Sequence, residues 1–341
     1  MPFDLTPGAS RRDAGQWRGQ WRGQRRSGRD LGPALPDLPH CRMRPLPPRR
    51  LHLPFEPGPY RMAMDLVTLP ESAWFELDDR YPAELAERRR LLAERHDDVF
   101  AALPISDAAR AETLAMVAEN LGTHRSDWFV RDTDTLHNCL TGEQWDLAHP
   151  PCDPLELAGR LVQEDLCLVQ LDAAVPVLTA AVLCFPSRWR LAEKLGRPLA
   201  TVHGPVPLYA ERLAGPVDRF MRHVKPGHIA ARLNWSVLDD ATLFQSGGKW
   251  RTAPNVAITA ANAGETLFLR VERQTLRRLP TSDAVLFGIR VHVYPLTDAV
   301  ADAGGAARLA EAVRALPEAT LRYKSLLPIR DALLRWLDAR C

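Results

Sequence analysis

One histidine and one short polar run are the residues best placed to do chemistry in this chain. His203 sits in Thr201-Val202-His203-Gly204-Pro205-Val206-Pro207. Gly204-Pro205 turns the chain and leaves the ring unobstructed, and Pro205 and Pro207 stiffen the backbone around it. A neutral imidazole so held is a natural metal ligand when its second nitrogen has a partner that fixes the tautomer. The same position also suits a helix-end histidine bonded to a backbone carbonyl. The polar run is Glu272-Arg273-Gln274-Thr275, at the end of a long apolar stretch. A buried carboxylate there would hold a protonated amine, and a strand-end ion pair is the plainer alternative. Asn234 and Trp235 place an amide and an indole on opposite faces of a strand. Arg232, Arg273 and Arg290 offer guanidinium forks that suit a bound carboxylate or ordinary salt bridges. His292, on the alternating stretch Arg290-Val291-His292-Val293-Tyr294, is the rival histidine. Tyr209 either closes over the pocket or packs on a helix face.

The elements that must position these groups can be read from periodicity. Helices are expected over 82–95, from Ser106 to Leu121 with Gly122 as the stop, and over 153–162 with Asp153 as the cap. Residues 128–145 read as irregular. Leu166–Leu171 and Val175–Phe185 read as a β-hairpin. A helix capped by Ser187 is expected through Arg188-Trp189-Arg190-Leu191, ahead of His203, and a longer amphipathic helix over 208–224, ended by Lys225-Pro226-Gly227. Further strands are expected at 229–236, 242–245, 266–272 and 285–294. Ser246-Gly247-Gly248-Lys249 reads as a surface loop, and Glu272–Pro280 as a short helix or turn. Helices return at 305–316 and 326–338. This order predicts an α+β fold: a helical preface, an antiparallel sheet with an inserted helical layer compatible with a PAS-like arrangement, and a helical tail.

Composition narrows the chemistry. The 341 residues are 46% hydrophobic and 25% charged, ordinary globular values that allow a sizeable core. No run of eighteen apolar residues occurs, so no membrane span is expected. The start lacks an apolar signal-like segment, and the six cysteines form no CxxC pair, so all six are expected as reduced cytosolic thiols, with neither structural zinc nor an iron–sulfur cluster. Residues 1–50 hold eleven Arg and four Asp, which leaves the remainder mildly acidic. This Arg/Gly/Pro-rich arm, with Trp17 and Trp21 in a small repeat, is expected to be disordered, a solvated tail rather than a nucleic-acid contact. No dinucleotide fingerprint or P-loop is present, so any redox electrons would come from another protein.

Several separated segments together resemble a known family. They are Pro54-Phe55 through Tyr60 with Met64-Asp65-Leu66; Glu164-Asp165-Leu166-Cys167; Phe185-Pro186-Ser187-Arg188-Trp189 with Glu193-Lys194-Leu195-Gly196; His203-Gly204-Pro205-Val206-Pro207; Arg232-Leu233-Asn234-Trp235; Leu269 to Pro280; and Val285-Leu286-Phe287-Gly288-Ile289-Arg290. In this order they resemble the alpha subunit of haem-dependent oxidative N-demethylases, over about residues 51–296. The basic arm at 1–50 and the tail at 297–341 fall outside the resemblance. It implies a PAS-like domain holding a b-type haem. It further implies oxidation of a small methylated amine such as dimethylamine by O2, with electrons from separate reductase subunits; the cytoplasm is expected from the lack of a signal-like segment. His203 is then expected as the axial ligand. Arg232, Arg273 and Arg290 are expected as partners of the haem carboxylates, and Glu272, Gln274 and Asn234 as catalytic residues. A haem-binding PAS-like sensor without turnover is the alternative that the same residues allow.

Overall fold

In the computed structural model, described for residues 41–341 apart from 43, 56, 57, 173 and 174, seven antiparallel strands form one sheet. Among the described residues the strands in chain order are β1 (Val67–Leu69), β2 (Phe100–Ala102), β3 (Phe129–Asp132), β4 (Thr135–Asn138), β5 (Glu143–Asp146), β6 (Asp165–Asp172), β7 (Val175–Val182), β8 (Ile229–Leu238), β9 (Phe268–Arg278) and β10 (Val285–Pro295). The large sheet runs β1-β8-β9-β10-β6-β7-β2, and β3-β4-β5 form a separate small sheet. The expected hairpin is present as β6–β7, and β8, β9 and β10 pair in consecutive antiparallel register. The fold is α+β around an antiparallel sheet. Most of the expected arm lies outside the described residues.

Strand parity decides what each face carries, because successive side chains point to opposite sides. Arg232 pairs with Gln274 and Gln274 with Ile289, while Asn234 pairs with Glu272 and Glu272 with Val291. These residues share one face with Cys167 and Phe287, which pair on β6 and β10. The opposite face carries Leu233, Arg273 and Arg290, also directly opposite one another. Residues 183–228, between β7 and β8, supply the layer over the first face. The second face meets the helices Tyr81–Glu94 (α1), Asp107–His124 (α2) and Pro154–Leu161 (α3) toward its β6–β7 end. There Gly159 packs so tightly that an added Cβ would come within 2.5 Å of Val182 Cγ1. Toward β8–β10 it meets the tail helices Gly305–Ala315 (α4), Glu318–Tyr323 (α5) and Arg330–Asp338 (α6). Val237, Leu269, Val271 and Tyr294 bury with Leu309, Val313, Leu333 and Trp336 in a common core.

Several local expectations are corrected. Glu272–Arg278 continues β9 rather than turning, since its polar residues alternate between two covered faces. Residues 128–145 form the small sheet, whose short polar strands carry little apolar alternation. The segment 242–245 contributes only an isolated bridge, Gln245 to Ser187. No helix starts at Ser187. Arg188 adopts φ 61°, its guanidinium reaches Asp239 at 3.0 Å and Gln245 at 3.3 Å, and only a single turn at Leu191–Glu193 follows. Asp153 caps α3 as expected, accepting from Leu155 N. Ser106 precedes α2, but its hydroxyl donates to Leu103 O instead of capping, and the helix runs past Gly122 to His124. The cysteine expectation fails for one pair, because Cys41 and Cys139 form a disulfide. Cys152, Cys167, Cys184 and Cys341 are free. Among the described residues no helix is long and apolar enough to cross a membrane.

Candidate functional site

A cavity of about 1010 Å3, at the upper end of the roughly 300–1,000 Å3 typical of small-molecule sites, is lined by the first sheet face and the layer of residues 183–228, and extends to the segment before β1, to Glu76 and Arg273, and to the tail. Its apolar wall includes Cys167, Val169, Leu178, Leu276, Phe287 and Ile289 from the sheet, and Leu199, Val202, Val206, Leu213 and Met221 from the layer. His203 lines it at the end of the short helix Leu199–Val202. Its Nδ1–H donates to Leu199 O at 2.9 Å, which leaves Nε2 as the lone-pair nitrogen, and Nε2 makes no hydrogen bond among the described residues. Tyr209 stacks on the ring at 4.7 Å and 14°. Burial pushes the imidazole down to about 4, with nearby Lys194 and Arg232 adding to that effect against the bond to Leu199 O, so the ring is neutral. A second nitrogen anchored to a backbone carbonyl is the arrangement that orients an imidazole toward a metal.

Facing this histidine's cavity, Glu272 is held by neighbours on three elements. Oε1 accepts from Ser187 Oγ at 2.5 Å, and Oε2 accepts from Gln274 Nε2 at 2.8 Å and Asn234 Nδ2 at 3.3 Å. Ser187 in turn accepts from Arg270 Nε at 2.9 Å. Burial alone would raise the carboxyl, but the Ser187 bond, the Arg270 charge and the two amides hold it below its ordinary value, so it is ionised. Thus Glu272, Gln274 and Asn234 are brought together.

Cations dominate the rest of the polar lining. Lys194, Lys249, Lys324 and Arg232 all line the cavity. Burial, and then the charge of Lys249, push Lys194 down to about 8. Lys324 falls to about 8 by burial, with Glu272 opposing and Arg232 and Lys249 reinforcing the drop. Its Nζ donates to Asn234 Oδ1 at 3.0 Å and to Trp235 O. Arg232 Nε is buried without a partner among the described residues. Among the described residues neither Lys194 nor Lys249 forms a salt bridge, and Lys194 Nζ lies 4.1 Å from the centre of the Trp189 ring. Tyr323 stands beside Lys249, whose Nζ lies 4.8 Å from its ring, and burial, then Glu272, push the phenol up to about 12. Sequence reasoning passed over these lysines. Lys194 stood in a quoted segment without a role, Lys249 in an expected surface loop, and Lys324 in the tail, where only its polarity beside Leu321 and Leu326 marked it.

Of the three expected arginine partners, Arg290 lies outside the cavity, and Arg273 lines it from the other side of its strand. Arg290 is fully buried on the second face, bonded to Asp78 and Glu84 at 2.7 Å each. Arg273 lies on that face too, donating to Ala73 O and Trp74 O and pairing with Glu76 at 3.2 Å. Odd and even positions of β9 face apart, so Arg273 borders the cavity from the other side of the strand than Glu272 and Gln274. The rival His292 is buried with Nε2 3.1 Å from Glu76 Oε2, an oxygen it shares with His52 at 3.0 Å. Burial pushes His292 down to about 4. His223 and His228 are exposed.

The donor set fits haem: one neutral imidazole with a free Nε2, apolar walls, and half-buried cations without a salt-bridge partner among the described residues. Residues 65–334, which reach from the first strand of the sheet into the last tail helix, match the family described as haem-dependent oxidative N-demethylase, alpha subunit-like, and the chain belongs to that family.

Proposed function

We propose that this chain is a haem-dependent monooxygenase that removes a methyl group from a small methylated amine of the dimethylamine kind, with electrons from a separate reductase. When bound, a b-type haem supplies oxidation of an N-methyl C–H bond by dioxygen and two electrons, which yields formaldehyde and the smaller amine. His203 Nε2 would hold the iron, and its bond to Leu199 O keeps that nitrogen unprotonated. Arg232, Lys194 and Lys249 would hold the haem carboxylates. Neutralising those cations leaves Glu272 as the counter-charge for a protonated amine, with Ser187, Gln274 and Asn234 fixing the carboxylate. The single observation that carries this reading is the shared cavity of a tautomer-fixed His203 and an ionised Glu272.

The reading also takes the sheet with its inserted layer as PAS-like and the protein as cytoplasmic. Residues 51–296 are taken as the haem-binding body, 1–50 as a basic arm, and 297–341 as a tail that lends Tyr323 and Lys324 to the cavity. The test is an absorption spectrum followed by turnover. The haem-loaded protein should show a Soret band that His203→Ala loses and His292→Ala keeps. Supplied with a reductase and dimethylamine, it should release formaldehyde. A Soret band unchanged in His203→Ala would overturn the ligand assignment. Haem binding without formaldehyde from any methylated amine would favour a sensor.

A further inference from the structure

Outside the cavity, Cys41, His137 and Cys139 bring one ligand atom each to within 4.8 Å of one another. His137 lies on β4 and Cys139 in the turn just past its end, where Cys139 N donates to Trp128 O at 2.8 Å. Cys41 arrives from a segment 98 residues earlier, held across the small sheet's end by Trp128 Nε1 donating to Arg44 O at 2.7 Å. His137 is only 7% exposed. Neither of its ring nitrogens makes a hydrogen bond among the described residues, and Nδ1 is wholly buried without a partner. An unpaired buried imidazole nitrogen is costly, and a structure tolerates it where something else fills the valence.

The two sulfurs are joined in the structure, yet the other four cysteines are free thiols. That usage is typical of a reducing compartment, where a disulfide does not persist. We propose that Cys41, Cys139 and His137 form a redox-gated metal site, which takes one zinc ion when the disulfide is reduced. A cellular dithiol reductant supplies two electrons and two protons and is itself oxidised to a disulfide, leaving two cysteine thiols. Zinc then displaces both thiol protons and binds two thiolates and the His137 imidazole. Two soft thiolates and one imidazole are a zinc set, and the fourth tetrahedral position is left to water or another donor. Metal and disulfide thus alternate as the staple that ties residue 41 to the small sheet, and the chain stays closed there in either redox state.

The experiment uses the full chain, reduced with a dithiol and then freed of reductant and metal by dialysis. Titrated with Zn2+, the reduced wild type should bind about one equivalent, which then shields Cys41 and Cys139 from maleimide. Co2+ in the same site should give the charge-transfer absorption of thiolate ligands. The oxidised wild type, identical in sequence, should bind none. His137→Ala and Cys41→Ser, checked for folding by circular dichroism, should each weaken binding by tenfold or more. A reduced wild type that takes up no more zinc than the oxidised protein overturns the site. Wild-type affinity in His137→Ala removes the imidazole from the ligand set and overturns the site as proposed.

Discussion

His203 and Glu272 owe their chemistry to opposite electrostatic environments within one cavity. Burial keeps the imidazole neutral and a backbone carbonyl sets its tautomer, whereas three hydrogen-bond donors keep the carboxylate charged. In the haem-free protein the His203 ring should titrate near about 4, readable by its NMR chemical shift. The unfolded chain protonates near 6.5, so between those values it binds a proton that the folded chain refuses. The His203 contribution to stability should therefore be flat above pH 6.5 and fall as pH drops toward 4, by about 3 kcal/mol, since each pKa unit is about 1.4 kcal/mol. A ring titrating at 6.5 in the folded protein would mean that it is not buried against Tyr209. Glu272→Gln keeps the shape and removes the charge. In the haem-loaded enzyme it should raise KM for the amine by about tenfold to a hundredfold, the worth of one charge-assisted hydrogen bond, with the Soret band intact. The lysines add a condition. Before haem binds, Lys194, Lys249, Lys324 and Arg232 surround Glu272 with like charge for a cationic substrate, so calorimetry should find amine binding to the haem-loaded protein and none to the haem-free one.

Strand β9 shows how an element sorts neighbouring residues into separate jobs. Glu272 and Gln274 face the cavity, while Arg273 between them ties the opposite face to Ala73, Trp74 and Glu76. One place along on β10, Arg290 neutralises Asp78 and Glu84, with Gln163 Nε2 bonding both acids. Arg290→Met would leave two buried carboxylates without their cation and should cost about 3–5 kcal/mol in denaturant unfolding. The folded fraction should still bind haem, because the side chain lies on the far face. Loss of the Soret band in folded Arg290→Met would return this arginine to the haem site. This split was only half legible in the sequence. The β6–β7 hairpin and the β8 and β10 strands showed through their runs of Leu, Val and Ile. The cluster Glu272-Arg273-Gln274-Thr275 looked like an end, because a strand whose two faces both bury charge has no apolar alternation to display. Likewise Arg188–Leu195 has helical spacing, but Asp239 and Gln245, some fifty residues on, capture Arg188 and pull the segment out of a helix. Partners that distant leave no local trace. His203 was visible because glycine and proline mark it locally, and Lys324 was not, because only the fold brings it to Asn234.

At the scale of the whole molecule the tail is a structural wall of the cavity. Its helices share a core with β8, β9 and β10, and α5 carries Tyr323 at its end, followed by Lys324, both lining the cavity beside Glu272. The contact that seats α6 is Trp336 against Gly264, where a Cβ would fall 2.5 Å from the ring. The ring is 3% exposed and belongs to the shared core, so it cannot swing aside as a surface side chain would. Gly264→Ala should therefore cost about 1–3 kcal/mol, the usual penalty for overpacking, seen as a lowered Tm. Displacing α6 also loosens α5, and with it the bond from Lys324 to Asn234 that helps fix the Glu272 cluster. The variant should accordingly bind haem more weakly and turn over amine with a raised KM, although Gly264 touches neither. The double variant Gly264→Ala/Trp336→Phe restores space at the contact and should recover part of the Tm and of the KM together. Recovery of Tm with KM unchanged would show that the tail stabilises the fold without shaping the site.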